Sequence, residues 1–181
     1  PVDGTANFLH GVAWTCVSIG LVVNRVPVLG VVYNPILDEM FTAVRGRGAR
    51  LNGEPIAGSE QAHMSKAMVC TEFGANRDPE VLNLKLAVVG RVVAAPVQAV
   101  RCLGSAALNM CSVACGRMDA YYEWGMHAWD VAAASVVCEE AGVVVTDLDG
   151  SEFSICDRRV LVACRGIHKP LRDLLVEARV P

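Results

Sequence analysis

The chain has 181 residues, 53% of them hydrophobic and 19% charged, enough apolar material for a real core and too little charge for a disordered chain. Its formal net charge of -3, from 16 basic and 19 acidic side chains, offers no general attraction to nucleic acid or anionic membrane and fits a small diffusible partner better. No apolar run reaches the roughly 20 residues that span a bilayer, because Arg25, Asp38, Arg91 and Arg101 interrupt the candidates, so the chain reads as soluble and cytoplasmic.

In chain order, the first sixty residues alternate β-branched runs with turn signals. Trp14 to Val23, Val28 to Tyr33 and Met40 to Val44 read as strands separated by Asn24-Arg25 and Asn34-Pro35. Hairpins continue through Arg45-Gly46-Arg47-Gly48 and Asn52-Gly53 to about Pro55, giving an antiparallel meander. A strand from Met68 to Phe73 follows. Asp78-Pro79-Glu80 predicts a helix start, with Asp as N-cap, Pro at the first helical position and an acid in the first turn; the helix runs to about Val89. Pro96 to Leu103 reads as a strand, Ser105 to Cys115 as a short helix ended by Gly116, and Met118 to Glu123 as a strand. Ala128 to Ala141 is an Ala-rich buried helix closed by Gly142, followed by strands at Val143 to Thr146 and Val160 to Cys164 and an amphipathic helix from Leu171 to Arg179. The order predicts one domain, 1–181, of α/β (α+β) class with layered sheets and helices: a hairpin region to about 60 and a mixed region from about 61.

The eight cysteines lie in apolar stretches such as Val69-Cys70-Thr71 and Val137-Cys138-Glu139, which favours buried reduced thiols over a disulfide framework. Cys111 and Cys115 could share a helical face, yet no C-x-x-C pair and no histidine at zinc-finger spacing accompanies them. The sequence has no initiating Met and opens with Pro1 inside an apparent motif, so a truncated sequence is expected.

Several residues could carry chemistry, and each has a plainer reading. Asp3-Gly4-Thr5 is a common turn; equally, its Asp could hold a hard cation while Gly4 admits a ligand to the backbone and Thr5 supplies a hydroxyl. Asp130, flanked by Trp129 and Val131, is either an acid stabilised by a helix N-terminus or a ligand. Glu123 before Trp124-Gly125 is either a solvated strand-edge acid or part of a site. Gly104-Ser105-Ala106-Ala107 is either an N-capped, closely packed helix start or a cradle for an anion or hydroxylated ligand. His127 reads as a packing or hydrogen-bonding histidine, with a proton shuttle as the alternative; His10, His63 and His168 have no distinctive neighbours. No G-x-G-x-x-G sits between a strand and a helix, which argues against a dinucleotide-binding module.

Pro1-Val2-Asp3-Gly4-Thr5-Ala6-Asn7-Phe8 resembles most of the D-P-x-D-G-T-x-N-F motif of the inositol monophosphatase family, and Tyr121 to Asp130 is similar to its second motif, which ends in W-D-x-A-A. Gly30 to Pro35, Arg101 to Ala107 and Asn109-Met110 match further family segments in order, so the resemblance covers essentially the whole chain. It implies an αβαβα sugar-phosphatase-like fold lacking its N-terminal helical part, and hydrolysis of a phosphate monoester, myo-inositol monophosphate above all, with Mg2+ as cofactor. By motif match, Asp3, Asp130 and the backbone carbonyl of Val2 resemble metal ligands, and Thr5 the hydroxyl that orients the attacking water. Gly4 and Thr5 resemble phosphate-binding amides; Gly104, Ser105, Ala106 and Glu123 resemble readers of the inositol hydroxyls, with Asp130 contacting metal and substrate. The family pattern places an Asp before the motif's Pro and a metal-binding Glu further upstream, so weak Mg2+ binding and little or no hydrolysis are expected of this chain alone. The resemblance also implies a homodimer acting on a phosphorylated polyol. Another sugar or nucleotide phosphatase of the superfamily and a non-catalytic partner subunit are the alternatives.

Overall fold

The computed structural model describes residues 2–178 and 180; Pro1 of the opening motif, Arg179 at the expected end of the last helix and Pro181 lie outside them. After a five-residue helix, α1 (Thr5–Leu9), the strands β1 (Val17–Val23), β2 (Val26–Asn34), β3 (Glu39–Val44), β4 (Ala49–Leu51) and β5 (Glu54–Pro55) form an antiparallel sheet in sequence order. Positive φ at Asn24 and Arg25, and again at Asn52 and Gly53, makes two-residue hairpins whose twist matches the strands they join. At the β2–β3 turn, the Asn34 side chain accepts from the amides of Ile36 and Leu37. β1 begins later than the sequence pattern predicts, because Trp14 to Cys16 turn aside to meet Asp3.

A second sheet has the order β7 (Ala99–Arg101), β6 (Met68–Thr71), β8 (Ala120–Trp124), β10 (Arg159–Ala163), β9 (Val144–Thr146). β6 runs parallel to β7 and β8, whereas β10 is antiparallel to β8 and β9. Between the sheets lie α3 (Ala106–Ala114) and α4 (Ala128–Glu140). They share one core with Val32, Phe41 and Ala43 of the first sheet and Cys70, Tyr121, Val160 and Val162 of the second. Covered from both sides, these helices are apolar nearly all round, which their Ala-rich composition allows. α4 reaches the first sheet where Gly20 and Gly30 face one another. A Cβ on Gly30 would stand 2.1 Å from the Ala133 carbonyl oxygen, so the helix backbone rests on a groove that only glycine leaves open.

The far face of the second sheet is covered by α2 (Pro79–Ala94) and α5 (Arg165–Glu177), through Val88, Val92, Ile167, Leu171 and Leu175 packed with Val69, Tyr122 and Leu161. The layers therefore run sheet, helix pair, sheet, helix pair, in agreement with the layered α/β expectation. α2 starts where predicted, Asp78 Oδ1 accepting from Glu80 N at 2.9 Å, but continues past Val89 to Ala94 because Gly90 faces open space and nothing forces a stop. α5 starts at Arg165 rather than Leu171; it carries Pro170 within it, and Pro170 masks the helix in the sequence. Ile19 and Leu21, on the face of the first sheet away from α4, are exposed. Among the described residues no helix is long and apolar enough to cross a membrane.

Candidate active site

Asp3 is fixed by its backbone. It exchanges two hydrogen bonds with Cys16, at 2.9 and 3.1 Å, and its carbonyl accepts from Thr15 Oγ1 at 2.9 Å. Gly4, at φ 77, then turns the chain into α1. The Asp3 carboxylate lands against the start of α3, where Oδ2 accepts from Ser105 Oγ at 2.5 Å and from Ala107 N at 3.3 Å. Burial pushes the Asp3 carboxyl pKa up and the Asp130 charge adds to this, while the Ser105 and Ala107 donors pull it back. The Thr5 hydroxyl donates to the Val2 carbonyl at 3.1 Å.

Asp130 sits in the first turn of α4 and accepts at Oδ2 from His127 N at 2.8 Å, the helix-start placement that the plain reading expects. Here that reading and the functional one coincide, because Asp3 and Asp130 line the same cleft, of about 590 Å³, together with Glu72, Gly104, Ala106, Glu123 and His127. The exposed Arg77 and Arg158 supply cations to it. His127 stacks on Trp129, ring centroids 4.6 Å apart, and its Nε2 lies 3.5 Å from Arg158 Nη2. Val2, Gly4, Thr5 and Ser105 adjoin lining residues without lining the cleft themselves; the buried Ser105 hydroxyl is turned to Asp3.

Glu123 is no solvated edge acid. It is 7% exposed on a wholly buried strand, and the Tyr121 hydroxyl donates to Oε2. Burial pushes its pKa up to about 7, against the pull of the Tyr121 hydroxyl and the Lys85 charge. Sequence reasoning missed Glu72. Its Oε1 accepts from Leu103 N at 2.6 Å, Gly104 N at 2.7 Å and Asn109 Nδ2 at 2.8 Å, and so it holds the Gly104 turn from below. From the other side Asn7 Nδ2 donates to Leu103 O at 2.7 Å and to Trp14 O at 2.8 Å, tying α1 to the same turn. Gly104, at φ 89, has no room for a Cβ, which would stand 2.8 Å from Asn7 Nδ2. The one available signal for Glu72 was its place just beyond a parallel strand, where open α/β sheets bind ligands.

The cysteines agree with the thiol reading: all eight are free, and Cys16, Cys70, Cys111, Cys138 and Cys164 are buried. Cys102 and Cys156 differ in being exposed. Of the residues expected to hold a metal, Asp3 and Asp130 line the cleft and offer carboxylate oxygens, the donor type of a hard cation, whereas the Val2 carbonyl lies outside the lining and accepts from Thr5. Among the described residues, no three His, Cys, Asp or Glu side chains group as metal ligands.

Comparison with known proteins bears on this site. The sequence model of the Inositol monophosphatase family matches residues 1–180. Inositol monophosphatase 2 of Solanum lycopersicum is 48% identical over 179 residues, covering 98% of this chain and 66% of the relative. Human inositol monophosphatase 1 is 43% identical over 163 residues, covering 90% of this chain and 59% of the relative. The structure of inositol monophosphatase from Anabaena superposes with a TM-score of 0.90 at 39% identity, covering all of this chain and 70% of that one. Inositol monophosphate bound SaIMPase-II superposes with a TM-score of 0.83 at 27% identity, covering 98% of this chain and 67% of that one. The chain thus spans about two-thirds or less of the length of these curated relatives. It belongs to the inositol monophosphatase family.

Proposed function

We propose that the protein hydrolyses a phosphate monoester, myo-inositol monophosphate, with Mg2+ as cofactor. The observation that carries this reading is the convergence of Asp3 and Asp130, far apart in the sequence, on one cleft with Glu123 and the Gly104 turn. The relatives' names and the inositol monophosphate in the SaIMPase-II structure support the substrate. Asp3, Asp130 and the Val2 carbonyl would hold Mg2+, which when bound supplies Lewis-acid neutralisation of the phosphoryl oxygens and makes water more acidic. Thr5 donates to Val2 O, which leaves its hydroxyl oxygen free to accept a hydrogen bond from water and so orient the attacking lone pair. The backbone amides of Gly4 and Thr5, which adjoin the cleft between the lining residues Asp3 and Ala6, would bind the phosphate. Gly104, Ser105 and Ala106 offer backbone to the alcohol, and Glu123, when ionised, accepts from neighbouring hydroxyls. Asp130 would contact both metal and substrate.

Two side-chain carboxylates hold Mg2+ weakly, so weak Mg2+ binding and slow turnover are expected of the chain by itself. The proposal extends to a homodimer in the cytoplasm, on the family resemblance; sedimentation equilibrium and cell fractionation test those parts. A second reading, a phosphomonoester of a larger alcohol, draws on a neighbouring cavity of about 380 Å³ across Glu123, lined by Phe73, Val81 and Trp124. Phosphate release in Mg2+ from myo-inositol monophosphate, nucleoside monophosphates and sugar bisphosphates separates the two. The highest kcat/KM is expected for the inositol ester, and a strong preference for a bisphosphate would overturn the substrate assignment.

A further inference from the structure

Lys85 lies in the middle of α2 and is 4% exposed, an unusual position for a lysine. Its ammonium donates to the backbone carbonyls of Glu72 at 3.2 Å, Phe73 at 3.0 Å and Trp124 at 3.2 Å. It also stands 4.9 Å from the centroid of the Trp124 ring, within cation–π range. Three acceptors require three N–H donors, which the charged ammonium has and the neutral amine lacks.

The location of these carbonyls gives the contact its meaning. β6 and β8 pair from Val69↔Ala120 to Thr71↔Tyr122, and there the pairing ends. Glu72, just past the end of β6, and Glu123, the next residue of β8, both line the cleft. Where the strands part, the Lys85 ammonium takes the carbonyls that follow. A Cβ on Gly74 would lie 3.6 Å from Lys85 Nζ and 3.8 Å from Glu123 Oε1, so ammonium and carboxylate border the same space beside Gly74.

We infer that Lys85 is a positioning residue that clamps the ends of β6 and β8, setting Glu72 beneath the Gly104 turn and Glu123 at the alcohol side of the cleft. Its functional consequence rests on the phosphomonoesterase reading; the clamp itself does not. Burial lowers the Lys85 pKa and the opposing Glu123 and Glu72 charges offset this only in part, so it is the three carbonyl acceptors that hold the side chain in place. Without the charge, three carbonyls lose their donor, and the strand ends shift toward other partners.

The test compares Lys85→Met and Lys85→Gln with the wild type, by amide hydrogen exchange in the free protein and by steady-state kinetics on myo-inositol monophosphate with Mg2+. Lys85→Met is expected to speed exchange of the Leu103 and Gly104 amides, which Glu72 holds, by about tenfold or more, with β10 amides unchanged. KM is expected to rise about tenfold with kcat within about threefold, since the clamp orients the alcohol site. Lys85→Gln, which keeps two donors without the charge, falls between and decides alone if the Met variant does not fold. Unchanged exchange at Leu103 and Gly104, or uniform loss of protection across the sheet with KM unaltered, would overturn the inference. If the wild type hydrolyses no inositol ester, the substrate reading fails, while the exchange measurement still decides the clamp.

Discussion

Replacing Glu123 by Gln should change how stability depends on pH. The carboxyl is 7% exposed on β8, and burial raises its pKa from the ordinary 4.5 to about 7. The native state therefore holds the proton where the unfolded chain has released it, and stability falls as pH rises from about 4.5 to about 7. At roughly 1.4 kcal/mol per pH unit, that interval corresponds to about 3 kcal/mol lost by the wild type. Gln has no proton to lose and retains an oxygen to accept from Tyr121. Urea unfolding at intervals between pH 4.5 and 8 reads the difference directly, because Asp3 and the other shifted groups are common to both proteins. The wild type should lose stability across the window relative to Glu123→Gln, with the two curves parallel above about pH 7.5. Parallel curves across the whole range would refute the assignment of Glu123 as a buried, proton-holding carboxyl.

Other consequences are as direct. In Gly30→Val the new side chain meets the Ala133 carbonyl, and the clash should cost about 3 kcal/mol and lower Tm by roughly 6–12 °C in thermal unfolding; an unchanged Tm would show that α4 does not rest on this groove. Glu72→Ala removes the acceptor of three donors around the Gly104 turn and should raise KM at least about tenfold with a smaller effect on kcat, measured by steady-state kinetics. Chelation of Mg2+ should abolish phosphate release and its return should restore it, whereas full activity in excess chelator would remove the metal from the account.

The parts of the fold legible in the sequence were those with local signals. Asn24-Arg25 and Asn52-Gly53 declared hairpins because their backbones must take positive φ. Asp78-Pro79 fixed the start of α2, and Gly116 and Gly142 the ends of α3 and α4. The end of α2 and the start of α5 were hidden, since Gly90 and Pro170 are read as breaks although the helices run through them. At the site, Asp3, Glu123 and Asp130 stood out by resemblance, and the cleft joins all three. Glu72 and Lys85 did not: a glutamate after a strand and a lysine in a helix look solvent-facing until the fold brings Gly104 and Trp124 to them. Ser105 was legible as an N-cap, which it is, but its hydroxyl also serves Asp3, a long-range contact that no local pattern encodes.

Asp130→Asn tests the account most directly. The amide oxygen can still accept from His127 N, so the start of α4 and the unfolding midpoint should be retained, while the charge facing Asp3 across the cleft is lost. Mg2+-dependent phosphate release from myo-inositol monophosphate should fall at least about a hundredfold. Turnover equal to the wild type in a folded Asp130→Asn protein would contradict the claim that Asp3 and Asp130 together form the catalytic metal site.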